Sequence, residues 1–247
     1  MVKRPRQLNR ATAISRVDEM IKLIQRDVQI AIEVKAAMEA ANKIVIGDLR
    51  NVTYHGAECY NTVKQSMALF LALTLAKLFE FPIPRNNETR ASRYNRSDLA
   101  SIPLMVRLLK QKRCRTALLE RARMWTPQLT GMGDIHAVSC ERGIDRAIEA
   151  YDRIQRIPRG RKAIASLKAF RDKVLAHNLL GQALENTLLY NELFLLMDVA
   201  RDVTQHAKLA ILGDNLDLKD VEMERARMSE AFWRPALTAV AMQLEAS

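Results

Sequence analysis

With 247 residues, 49% hydrophobic but only 5% aromatic, and with 8 glycines and 7 prolines, the chain is long enough to bury a core, and its composition is that of packed helices. Three cysteines without CxxC spacing, Cys59, Cys114 and Cys140, argue against a disulfide framework and fit a reducing compartment. The longest apolar run, Met67 to Leu78, is too short for a bilayer, so a cytoplasmic location without a membrane partner is expected. The net charge of +11 is uneven: eleven Arg or Lys meet three acids between Arg85 and Arg123, eight meet one between Arg153 and Lys173, and residues 181–247 hold eleven acids against six bases. Such a distribution is the footprint of a polyanionic partner or, equally, a solvated basic surface.

A basic tail, residues 1–10, precedes one all-α domain over 11–247. Thr12 or Ser15 caps a helix reaching Asn42, with Val17, Met20, Ile21, Ile24, Val28, Ala31 and Ile32 on one stripe, and Gly47 punctuates the join. The second helix, Tyr54 to Glu80, is so apolar between Met67 and Phe79 that burial on nearly all sides and a central place are expected. Phe81 to Ser101, broken by Pro82 and Pro84, reads as a long loop. Within it Arg85, Arg90, Arg93 and Arg96, with Tyr94 between them, can hold phosphates and stack a base, or form a disordered surface loop.

Ser101 and Pro103 open a helix from Leu104 to about Met124, with Arg107, Lys110, Arg113 and Arg121 on its polar face. After Pro127, Gly131 and Gly133, Asp134 caps a helix to Ile157 that turns Ile135, Val138, Ile144, Ile148 and Tyr151 inward and ends at Pro158 and Gly160. Glu185 to Leu212 follows, stopped by Gly213, and a last amphipathic helix from about Leu218 to Leu244 is expected to kink or break at Pro235. His206 is read as surface. No alternating strand pattern occurs, so the expected fold is a bundle of six to seven helices.

Between Gly160 and Glu185 lies SLKAFRDKVLAHN, Ser166 to Asn178. Leu167, Phe170, Val174 and Leu175 recur at helical spacing, Lys168, Arg171, Asp172 and Lys173 line the other side, and His177 closes the segment near Gly181. Five residues separate Arg171 from His177. Six steps of a helix are about 9 Å of rise and about 600° of turn, so the two point about 120° apart, and a swung arginine or a second copy is needed to complete a site.

This motif, with KLFEFP at Lys77 to Pro82 and SDLASIPLMVRLLKQ at Ser97 to Gln111 in the same order, resembles the abortive-infection U-type branch of the HEPN superfamily over roughly residues 50–212. The resemblance implies a homodimer that cleaves single-stranded RNA without metal or other cofactor, in phage defence or as a toxin. His177 would relay a proton between the ribose 2′-OH and the leaving 5′ oxygen while Arg171 neutralises the phosphorane. Asp172 would orient or pair with an arginine, Asn178 would hydrogen-bond sugar or phosphate, and Lys168 and Lys173 would join the loop residues in holding RNA. An antitoxin or nucleotidyltransferase partner would be a separate chain, since no nucleotidyltransferase signature occurs here. The alternatives are a non-catalytic HEPN module that binds RNA or protein, an interface or capping role for the pair, and a structural scaffold.

Independently of that resemblance, His55 with Cys59 and His136 with Cys140 form two His-x3-Cys pairs, each on one helix face. Two such helices in register could hold a tetrahedral zinc ion, whereas buried thiols and capping histidines are the commoner use.

Overall fold

The computed structural model describes residues 9–49, 57–81, 99–129, 131–172, 189–215 and 217–245, with side chains to 238 in the last segment. Among them are eight helices and no strand: α1 Arg10–Gly47, α2 Ala57–Leu78, α3 Ile102–Leu109, α4 Lys112–Ala122, α5 Gly133–Arg156, α6 Pro158–Phe170, α7 Tyr190–Leu212 and α8 Leu218–Glu245. The fold is therefore all-α, as the periodicity predicts, with a helix count just above six to seven.

The extra helix comes from the predicted Leu104–Met124 segment, which the chain divides. Lys110 ends α3 in αR geometry, and Gln111 (φ −78°, ψ 125°) is extended and opens α4. Every residue of α3 except Arg107 is buried, whereas α4 buries only Cys114, Ala117, Leu118 and Ala122, so the turn between them lets a fully enclosed helix give way to a half-exposed one.

α1 carries the predicted stripe: Val17, Ile21, Val28, Ala31 and Ile32 have no exposed surface, and Met20 and Ile24 are buried beside them. Its cap is Asn9, not Thr12 or Ser15; the Asn9 Oδ1 accepts the Thr12 amide at 2.8 Å, which places both hydroxyl residues inside the helix. α1 and α7, rather than α2, are the central elements, since α1 packs on α2, α3, α4, α7 and α8, and α7 on every helix from α1 to α6. In α2, Leu71 and Leu75 are fully buried as predicted, each burial worth roughly 1.5–3 kcal/mol, but Leu69 and Phe70 are 41% and 48% exposed, so burial is one-sided.

α5 turns differently from the expectation. Ile135 and Val138 are more than half exposed, and Ala137, Cys140, Gly143, Ile144, Ala147 and Tyr151 face the core. The reason is the close approach to α7: a Cβ on Gly143 would sit 2.9 Å from the His206 carbonyl oxygen, so small residues must hold this face. Met132, not Asp134, occupies the cap position, and Pro158 and Gly160 begin α6 instead of merely ending α5. Gly213 stops α7 in the left-handed region (φ 72°), with Trp125 against it. α8 runs through Pro235 without a break.

Part of the acidic stretch 181–247 turns its charge inward, toward α1. Glu222 accepts from Lys35 at 2.6 Å and from Arg201 at 2.5 Å, while Lys43–Glu230 (3.2 Å), Arg225–Glu33 (3.2 Å) and Arg234–Asp48 (2.9 Å) continue the ladder along α1. α8 thus lies parallel to α1, joined by charge pairs and by a small cluster of Ala41, Ile44, Leu49, Tyr60 and Leu237.

Candidate functional site

α6 is anchored by Leu167, 2% exposed, with Phe170 packed against the core, so its last turn is fixed in place. Arg171 continues the helical backbone (φ −56°, ψ −51°), its amide reaching the carbonyls of Leu167 and Lys168. Its guanidinium Nε and Nη2 both donate to Asp172 Oδ1, at 2.9 and 2.7 Å. The pairing of Asp172 with an arginine is the one the motif allows, and it is with the adjacent residue.

The opposite end of the guanidinium faces a residue that motif spacing does not reveal. Glu80 Oε1 lies 3.6 Å from Arg171 Nη1, with the two side chains 30% and 25% exposed. Glu80 follows α2, just past Phe79, which is buried and bonds back to the Leu75 carbonyl at 2.9 Å. The only trace of it in the sequence is its place within KLFEFP, because a contact across two helices leaves no local periodicity.

Lys168 is exposed one turn back on α6. His177, Asn178 and Lys173 lie outside the described residues, as do Arg85, Arg90, Arg93, Tyr94 and Arg96. Of the predicted constellation the structure brings together Arg171 and Asp172.

The two basic blocks fare differently. In the described part of the first, Lys110 pairs with Asp152 at 2.7 Å, Arg115 with Asp145 and Glu141 at 2.7 and 2.8 Å, Arg121 with Asp18 at 2.7 Å, and Arg123 with Asp134 at 3.3 Å. These four bases knit helices together, whereas Lys112 and Arg113 of the same block are exposed without an acidic partner among the described residues; Arg121, read from sequence as polar face, also donates to the Ile211 carbonyl. Around the α5–α6 corner, Arg156, Arg159, Arg161 and Lys168 are exposed and have no acidic partner among the described residues.

The His-x3-Cys pairs have other occupations. Cys140 is buried, its thiol donating to the Ala210 carbonyl at 3.2 Å, and burial pushes that thiol up to about 12. Cys114 is pushed up to about 11 by the same cause, so both are core packing residues and poor thiolates. His136 Nε2 is 2.6 Å from Thr126 Oγ1 and its ring lies against Trp125, Cys59 is exposed on α2, and His55 is outside the described residues. Among the described residues no group of three or more His, Cys, Asp or Glu is placed to hold a metal ion. His206, read as surface, is half-buried, and its pKa is lowered by burial and by Arg146 opposite.

The described residues thus form an all-helical bundle with Arg171 at the end of α6 and a basic flank beside it. The family model HEPN_AbiU2 matches residues 52–232, so the chain belongs to the AbiU2 family, an abortive-infection-related group of HEPN proteins. No curated protein and no solved structure matches it. α1 lies before the matched residues, yet it supplies much of the core. Among the described residues no helix is long and apolar enough to cross a membrane.

Proposed function

We propose that the protein is a cytoplasmic, metal-independent endoribonuclease acting on single-stranded RNA, in phage defence or as a toxin whose antitoxin or nucleotidyltransferase partner is a separate chain. The observation that supports it is the placement of Arg171. Arg171 sits at a helix end, fixed through its Nε edge by Asp172, and Arg159, Arg161 and Lys168 along the same helix have no acidic partner among the described residues and could hold the RNA backbone.

In this reading His177 takes the proton of a ribose 2′-OH as that oxygen attacks phosphorus. The 2′-O–P bond forms, the P–O5′ bond breaks, and the proton goes to the leaving 5′ oxygen. Arg171 stabilises the negative charge that grows on the equatorial oxygens, a task for which its planar fork is suited and lysine is not. Asn178 holds the sugar or phosphate. A twofold dimer brings two such pairs around one cleft.

Removing the imidazole as His177→Ala should lower the cleavage rate by about two to four orders of magnitude, and Arg171→Lys should cost nearly as much, with both variants folded. Cleavage by His177→Ala at the wild-type rate would overturn the catalytic assignment. A second reading, a non-catalytic RNA- or protein-binding module, draws support from the two carboxylates that already neutralise Arg171. Wild-type RNA binding without cleavage would favour it.

A further inference from the structure

Resting on the reading that Arg171 meets an RNA phosphate, we infer that Glu80 is the resident counter-ion of the phosphate-binding edge of Arg171, and that RNA enters the site by exchanging with it. A guanidinium has two edges able to grip an oxyanion with paired N–H groups, Nε with one terminal nitrogen and the two terminal nitrogens together. Asp172 Oδ1 closes the first, at 2.9 Å from Nε and 2.7 Å from Nη2. A phosphate seeking a fork therefore has the Nη1–Nη2 edge.

Glu80 stands beside Nη1, one of the two nitrogens of that edge, with its Oε1 3.6 Å away. That separation is too long for a hydrogen bond, so the carboxylate attracts Nη1 without using its hydrogens. The two acids differ in origin as well. Asp172 is the next residue in the chain and travels with Arg171, whereas Glu80 is delivered by another helix, immediately beyond the C-terminal end of α2. The partial negative charge of that helix end opposes a carboxylate there, and the Arg171 guanidinium offsets it.

The consequence is a site that is electrically satisfied without ligand. A phosphodiester that forks the free edge regains hydrogen bonds that Glu80 does not make, while the displaced carboxylate returns to solvent, to which it is already partly exposed. Glu80 thereby weakens binding of anions that offer charge alone and leaves the site to a chain phosphate held also by neighbouring cations such as Lys168.

Full-length wild type, Glu80→Gln, Arg171→Ala and the double variant are to be titrated with an uncleavable 2′-O-methyl single-stranded oligonucleotide at fixed salt, folding being checked by circular dichroism and Glu80→Ala serving as a second charge deletion. Glu80→Gln should bind about fivefold more tightly than wild type, and the gain should vanish in the Arg171→Ala background. Binding equal to or weaker than wild type overturns the inference while leaving the RNA reading intact. A gain that persists without Arg171 also overturns it, as a general charge effect. If neither wild type nor any variant binds the oligonucleotide, both the RNA reading and the exchange fail.

Discussion

Ser101 holds the cap position of α3 in extended geometry (φ −145°, ψ 155°), and the Met105 amide reaches its carbonyl at 2.9 Å, yet its hydroxyl is buried and without a hydrogen-bond partner among the described residues. Replacing a capping serine by alanine ordinarily costs about 1 kcal/mol. Here the hydroxyl contributes desolvation and no cap bond, so Ser101→Ala should leave stability unchanged or raise it by up to about 1 kcal/mol in a thermal melt. A loss of the ordinary size would show that the hydroxyl does cap the helix. The same contrast separates what is legible at single residues. Ser101 and Pro103 mark a helix start because cap chemistry is local, and Asp172 beside Arg171 is visible as a pair because the two are adjacent. Glu80 is invisible because its partner lies on another helix, and the inward place of Ala137 and Cys140 is invisible because it depends on how close α7 comes.

At the scale of elements, the apolar stripe of α1 was readable because seven apolar residues repeat at helical spacing, while the break at Lys110–Gln111 was not, since neither glycine nor proline marks it. Pro235 misleads in the opposite direction, for an exposed helix can leave to solvent the Ala231 carbonyl that Pro235, without an N–H, cannot bond, and continue. α8 is held to α1 and α7 by Glu222 between Lys35 and Arg201. Burial alone would push the Glu222 carboxyl up, but the hydrogen bonds and charges of Lys35 and Arg201 outweigh it and hold it below its ordinary 4.5. A depressed folded value means that the stabilisation is complete above about pH 4.5 and is lost as pH falls through the lower folded value. Glu222→Gln should therefore destabilise by about 1–3 kcal/mol at neutral pH, and its deficit against wild type should shrink on acidification below about pH 4. A deficit independent of pH would mean that shape rather than charge seats α8.

For the whole molecule, the surplus of +11 is divided between charges spent inside and charges left outside. Arg115 and Arg121 of α4 pair with α5 and α1, and Glu222 and Glu230 of α8 pair with Lys35 and Lys43 of α1, whereas Lys112 and Arg113 of α4, and Arg156, Arg159, Arg161 and Lys168 around the α5–α6 corner and on α6, are exposed cations without an acidic partner among the described residues. Block counts made the imbalance legible in the sequence; which blocks remain exposed was settled by helix pairing. Arg171 and His177 point about 120° apart on an ideal helix, and in the proposed site a second copy brings the pairs together, so light scattering at micromolar concentration should report twice the chain mass. A strict monomer would remove the composite cleft. The most direct test of the central claim is to incubate the purified protein with single-stranded RNA in EDTA and identify the product ends. The account predicts cleavage to 2′,3′-cyclic phosphate and 5′-hydroxyl termini, whereas intact RNA, or cleavage that stops when metal is removed, would contradict it.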